Sequence, residues 1–193
     1  MTTAGARVRD FCGRHGLDVP ILLAPMPGAC PPELSIAVAS AGGLGACGAL
    51  LMTPKAIADW IAVFRAHTNG GFLINTWIPD PEPARDAEHE ARVRDFLGRF
   101  GPTVAASAGD ARPVDFAAQC AAMVAASPRV MTSIMGLYPP DTVAAMKARA
   151  IAWFATVTTV AEARAAVAAG ADAVIAQGSE AGGHRGAFMA AMA

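Results

Sequence analysis

The chain has 193 residues, 54% of them hydrophobic and 16% charged. That composition excludes disorder and suits one core-forming domain. With 15 basic against 16 acidic residues and no basic patch, it also excludes a nucleic-acid-binding surface.

No apolar segment follows residues 1–10 at signal-peptide distance. Cys12, Cys30, Cys47 and Cys120 share neither a CxxC nor a zinc spacing, which predicts free thiols in a cytoplasmic protein. The first predicted strand is 19–24, and it ends at the loop Pro25-Met26-Pro27-Gly28. Residues 32–40 read as a helix with Glu33 in its first turn, stopped by Gly42-Gly43, and 44–48 as a short strand. The uncharged run 34–52 is therefore helix, turn and strand, because its glycines and weak apolar content do not suit a membrane span.

Thr53-Pro54 opens a helix in which Ile57, Trp60, Ile61 and Phe64 share one face. Gly70-Gly71 ends it, and 72–75 is the third strand. A proline-rich loop at 77–83 leads to a charged helix over 84–100 that carries Val93, Phe96, Leu97 and Phe100. Residues 102–107 give a weak strand, and 113–126 an alanine-rich helix. Residues 129–135 form a better strand, ending at Gly136. A helix over 140–149, a strand over 150–155, a helix over 160–169 and a strand over 173–176 complete the pattern.

Six or seven short apolar strands separated by helices predict a parallel sheet covered by helices. Polar or glycine residues recur just past the strand ends, at Pro25, Asn75, Gly136, Thr156 and Gln177. No GxGxxG follows the first strand, and sites drawn from several strand ends favour a (β/α)₈ barrel over an open doubly wound sheet. A complete barrel takes about 250 residues. The expected fold class is thus α/β, an incomplete barrel with about six of its eight strands, as a single domain over 1–193.

The stretch from Gln177 to Gly186 (QGSEAGGHRG) delivers an amide, a carboxylate, a glycine pair and an imidazole to one small volume. The glycines allow close backbone approach to a ligand, and His184 is a base near neutrality. Glu180 and His184 find no third ligand, so no metal centre is expected; Glu180 suits a structural partner of Arg185 or of backbone amides. Asn75 and Gln177, each at a strand end, can either close a local turn or read a heterocycle with their amides. The Pro25-Met26-Pro27-Gly28 loop is either an ordinary strand–helix turn or the edge of a planar-ligand site. His15, His67 and His89 carry no expected chemistry.

These segments resemble one known family. The run from Leu23 to Gly28 (LAPMPG), the run from Ala41 to Gly45 (AGGLG), Asn75, and Ala171 to Gln177 continuing into Glu180–Gly186 are similar to nitronate monooxygenase, formerly 2-nitropropane dioxygenase. The resemblance spans about residues 17–188 and implies an FMN-containing TIM barrel that oxidises alkyl nitronates with O₂ to a carbonyl compound and nitrite. It implies that Ala24, Pro25 and Met26 run beside the isoalloxazine and that Asn75 and Gln177 contact the flavin. Gly182 and Gly183 would hold the ribityl-phosphate side, with His184 as the catalytic, substrate-facing residue. It further implies a small-molecule substrate and O₂ as partners, no nucleic acid or membrane, and room for a homo-oligomer. Family members continue into two further strand–helix units, so a barrel truncated before them is expected. The alternatives are an NAD(P)H-dependent flavin reductase of the quinone or enoyl-ACP reductase type, and an inactive barrel fragment.

Overall fold

The computed structural model describes residues 3–81, 84–110 and 113–189. The chain divides into two compact units, residues 1–79 with 115–193, and residues 80–114.

The larger unit is built on five parallel strands: β1 (Gly45–Gly48), β2 (Phe72–Trp77), β3 (Val130–Ile134), β4 (Ala152–Val157) and β5 (Ala173–Ala176). They lie side by side in chain order. Before them come α1 (Ala4–His15) and α2 (Pro32–Ser40); α3 (Pro54–His67) links β1 to β2. This sequential parallel arrangement, with helices returning between strands, is the wall of an incomplete (β/α)₈ barrel. The first predicted strand, 19–24, is reduced to a single parallel bridge between Leu22 and Leu44, with Leu23 N donating to Leu44 O at 2.9 Å. Pro20 and Pro25 bracket it and have no N–H to donate, so the pairing cannot lengthen. The uncharged 34–52 run is divided between α2 and β1, and among the described residues no helix is long and apolar enough to cross a membrane.

Alternation along each strand creates two cores. On one face Cys47, Ile74, Met131 and Trp153 are buried with Ile57, Trp60 and Phe64 of α3, where Trp60 stacks on Phe64 at 5.3 Å. Thr53 caps this helix by accepting from Ala56 N at 3.2 Å, and Pro54 takes its first turn. On the other face, Leu44, Ala46, Leu73, Val130 and Phe154 pack with Cys12 and Leu17 of the α1 region. The sequence reading did not anticipate α1, a largely exposed helix whose cap is Thr3. The chain also forms α5 (Phe116–Ala125), α6 (Pro140–Ala148) and α7 (Val160–Ala168) between successive later strands. β5 is mostly exposed, with Val174 and Ile175 open to solvent. All four cysteines are free.

The smaller unit holds α4 (Ala87–Leu97) and a 3₁₀ turn at Ala106–Asp110. Asp86 caps α4 by accepting from Glu88 N and His89 N, both at 3.0 Å. Arg85 bridges Glu90 and, at 2.8 Å, Asp110, tying the helix to the turn. The weak strand expected at 102–107 does not form. That stretch has no run of large apolar residues to bury, and all of it is exposed. Residues 82 and 83 of the proline-rich 77–83 segment lie outside the described residues, and Trp77, expected in that loop, instead ends β2.

Among the described residues, three other than glycine have left-handed backbones: Ser127, Met135 and Ala150. Ala150 (φ 55°) follows α6, where Ile151 N bonds back to Met146 O at 3.0 Å, the geometry that favours glycine after a helix. Its side chain is exposed, so replacing it loses no packing. Ala150→Gly should stabilise the fold by about 0.5–1 kcal/mol, the left-handed strain less the added chain entropy. A thermal melt should show Tm higher by roughly 2 °C.

Candidate functional site at the strand C-termini

Side-chain alternation carries Asn75 and Trp77 to the same face as Leu73, and Thr132 and Ile134 to the same face as Val130. The register sets Asn75 beside Thr132 and Trp77 beside Ile134. Asn75 is 5% exposed, and its Nδ2 donates to Thr132 Oγ1 at 2.9 Å. Its N–H groups thus serve the sheet. Among the described residues nothing donates to Asn75 Oδ1, and no fully buried side-chain oxygen lacks a partner, so this oxygen remains accessible.

The opposite face of the same strand ends is structural. Thr76 Oγ1 donates to Gln119 Oε1 at 2.9 Å, and Gln119 Nε2 donates to Ala49 O at 2.6 Å and Met52 O at 3.0 Å. This buried amide pins the turn after β1. The Pro25-Met26-Pro27-Gly28 loop lies against the end of β1. A Cβ at Gly48 would come within 2.8 Å of Pro27 Cδ. Met26 O accepts from Ala29 N and Cys30 N, while the Ala24 and Met26 side chains are exposed.

The 177–186 loop is held at three points. Gln177 Nε2 donates to His184 O at 2.9 Å, and Gln177 Oε1 accepts from Gly186 N at 2.7 Å. Both arms of the Gln177 amide are thus spent within its own loop. Gly186 rests on β3: a Cβ there would lie 2.9 Å from Ile134 Cγ1. Beyond it, Phe188 N donates to Glu162 Oε1 at 2.8 Å. The segment forms no helix, so Glu180 and His184 do not share a helical face. Nor does Glu180 pair with Arg185 among the described residues; its carboxylate lies over Gly178.

His184 is exposed and meets Trp77 edge-on, with ring centroids 4.7 Å apart. Strand spacing would place β2 about 14 Å from β5 in a flat sheet. The loop that leaves β5 thus crosses β3 to reach β2, over the mouth of the curled wall. Between its anchors, Gly183 has φ 79°, and among the described residues a Cβ on Gly182 or Gly183 would meet nothing within 4 Å. The loop therefore leaves space beside its glycines. Two cavities of about 420 and 290 Å³ open elsewhere, at the strand N-termini, both lined by Arg129. None of the residues gathered around His184 lines them.

Sequence reasoning missed Trp77, Ile134 and Glu162. Trp77 was findable from its spacing of two after Asn75. Thr159 and Glu162 spell a capping box, which forms; the reach of Glu162 to Phe188, 26 residues on, has no local signal. Burial works to raise the Glu162 carboxyl, but the N–H of Phe188, the N–H and hydroxyl of Thr158 and the N–H of Thr159 hold it below its ordinary value.

The sequence profile of the nitronate monooxygenase family, described as "Nitronate monooxygenase", matches residues 11–192. The chain belongs to the nitronate monooxygenase family. A nitronate monooxygenase of Paraburkholderia phytofirmans is 37% identical over 179 residues, which is 90% of this chain and 49% of that protein. One of Pseudomonas aeruginosa is 33% identical, over 90% of this chain and 51% of its own length. A crystal structure of nitroalkane oxidase from Streptomyces ansochromogenes superposes with a TM-score of 0.76 at 32% identity, covering 90% of this chain and 50% of that one. A FabK mutant from Thermotoga maritima gives 0.67 at 26%, covering 92% and 49%. The chain spans about half the length of the curated nitronate monooxygenases it matches.

Two tests bear on the loop. Because the folded carboxyl of Glu162 is lowered, its contribution to stability is complete above the unfolded carboxylate value, about 4.3, and is lost as pH falls through the folded one. Glu162→Gln leaves one acceptor oxygen where two were used, and should cost about 1–3 kcal/mol at neutral pH. Melting curves of wild type and variant should converge in that acid window. Separately, Gln177→Met removes both amide bonds at similar size. Hydrogen exchange at the Gly186 amide should then quicken by roughly tenfold, as expected for one lost hydrogen bond.

Proposed function

We propose that this chain carries out, or contributes the catalytic half of, FMN-dependent oxidation of alkyl nitronates by O₂ to a carbonyl compound and nitrite. The observation that carries the reading is the glycine loop that brings His184 across the strand C-termini to Trp77, in a chain of this family. The residues present fit a flavin. The space beside Gly182 and Gly183, the accessible Asn75 Oδ1 and the exposed Ala24–Met26 edge are the features that a planar heterocycle with a phosphorylated side chain requires.

In this reading all the cofactor contacts come from the larger unit. Ala24, Pro25 and Met26 would lie along the flavin, and Asn75 would offer it the accessible Oδ1 as an acceptor. Gly182 and Gly183 would help hold the ribityl-phosphate side through their backbone N–H groups. Gln177 contributes by holding the loop that presents those glycines. Bound flavin supplies the redox chemistry. His184 binds and orients the substrate. A nitronate is already the deprotonated form of its nitroalkane, so the imidazole has no carbon acid to deprotonate and acts by donating a hydrogen bond to an anionic oxygen.

The test is anaerobic mixing of the FMN-reconstituted chain with an alkyl nitronate. Flavin bleaching, followed in air by nitrite release above the spontaneous rate, is expected. Bleaching by NADH or NADPH with none by nitronate would replace this reading with the reductase alternative. His184→Asn should lower kcat/KM by about 10²-fold with flavin content unchanged. A loss carried mainly in KM assigns the imidazole to anion binding; a loss in kcat assigns it to orientation during the reaction.

A further inference from the structure

We propose that Trp77 is a positioning residue for His184: its indole, carried on the rigid end of β2, sets the direction in which the imidazole faces the substrate. The inference rests on the reading of His184 as the substrate-facing group. Three observations lead to it. First, among the described residues neither ring nitrogen of His184 makes a hydrogen bond, whereas the ring of His67 is fixed through Nδ1 to Val63 O at 2.9 Å. The bond that holds residue 184 goes to its backbone carbonyl and does not fix the side chain. A histidine used in chemistry needs its ring direction set, ordinarily by a hydrogen bond to one nitrogen. Here the Trp77 ring, 4.7 Å away and inclined at 64°, is the contact that takes that place. An edge-on aromatic pair holds a ring without occupying either nitrogen, so both stay available.

Second, Trp77 is itself well fixed. It is half-buried at the last position of β2 and registers with Ile134, and the next residue's N–H donates to Ile134 O at 3.0 Å. Gly136, just past β3, leaves so little room that a Cβ there would lie 2.9 Å from Ile78 Cβ. Third, the same Ile134 supports Gly186 of the loop. One strand pair therefore fixes the backbone of the loop at one residue and its imidazole at another. Sites hold their geometry best when the supporting side chains are on strands or helices, as this one is.

The test uses the full chain with Trp77→Phe, which keeps an aromatic face, and Trp77→Leu, which removes it. Proton NMR of the His184 ring, assigned through His184→Asn, reads the contact without any activity. The wild-type ring signals should carry an aromatic ring-current displacement that Trp77→Phe partly retains and Trp77→Leu abolishes. With an alkyl nitronate, Trp77→Leu should lower kcat/KM by about tenfold and Trp77→Phe by about twofold or less. In the His184→Asn background Trp77→Leu should cost nothing more, because the group it positions is gone. Unchanged His184 signals in Trp77→Leu, equal losses in the two Trp77 variants, or full additivity with His184→Asn would overturn the proposal. Should wild type fail to oxidise nitronate, the proposed function falls, and the NMR arm still decides whether Trp77 orients His184.

Discussion

The two hydrogen bonds of the Gln177 amide are the constraint on which the site depends. One arm takes the carbonyl of residue 184 and the other the N–H of residue 186, so a ten-residue loop is closed by the first side chain in it. Without that closure the glycines at 182 and 183 would be free to sample many backbones, since neither has a side chain or a neighbour to restrain it. With it, the flexible pair is confined between fixed ends. Gly186 can then seat on Ile134, Phe188 can reach Glu162, and the imidazole falls beside Trp77.

The two faces of the sheet divide the labour. Away from the loop, polar groups at the strand ends are all consumed in holding structure: Thr76 with Gln119, Ser133 with the Trp153 indole, Gln119 with the turn after β1. On the face that carries Asn75 and Trp77, the polar and aromatic groups keep unused capacity among the described residues, in an accessible amide oxygen and an imidazole without a hydrogen bond. That contrast, and not the cavities that open at the other end of the strands, is what the proposed site rests on.

Much of this was legible in the sequence, for reasons that differ by element. The helix that begins at Thr53-Pro54 could be read because cap, proline and apolar stripe agree over one local stretch. β2 through β5 could be read because buried parallel strands are short apolar runs between breakers. The 102–107 strand could not, since a short, weakly apolar segment means little until its partners are known. The 19–24 strand was read too long, because its prolines leave the apolar pattern intact while removing the donors that pairing needs. At the site, Asn75 and Gln177 were picked out by position, yet position could not say how their amides are spent. Trp77 was hidden by the prolines that follow it, and Glu162 by a partner 26 residues away.

The left-handed backbones carry a contrast between two kinds of strain. At Ala150 the unfavourable conformation stands on an exposed helix exit, where nothing in the site leans on it. At Met135 the same kind of conformation, φ 64°, comes directly after Ile134, the shelf beneath Gly186 and the register partner of Trp77. A glycine at 135 would be conformationally easier, but it would also loosen the bend that ends β3. Thermostabilising this fold therefore has a natural order: relax the chain where it only turns, and leave it tense where the turn holds the floor of the site.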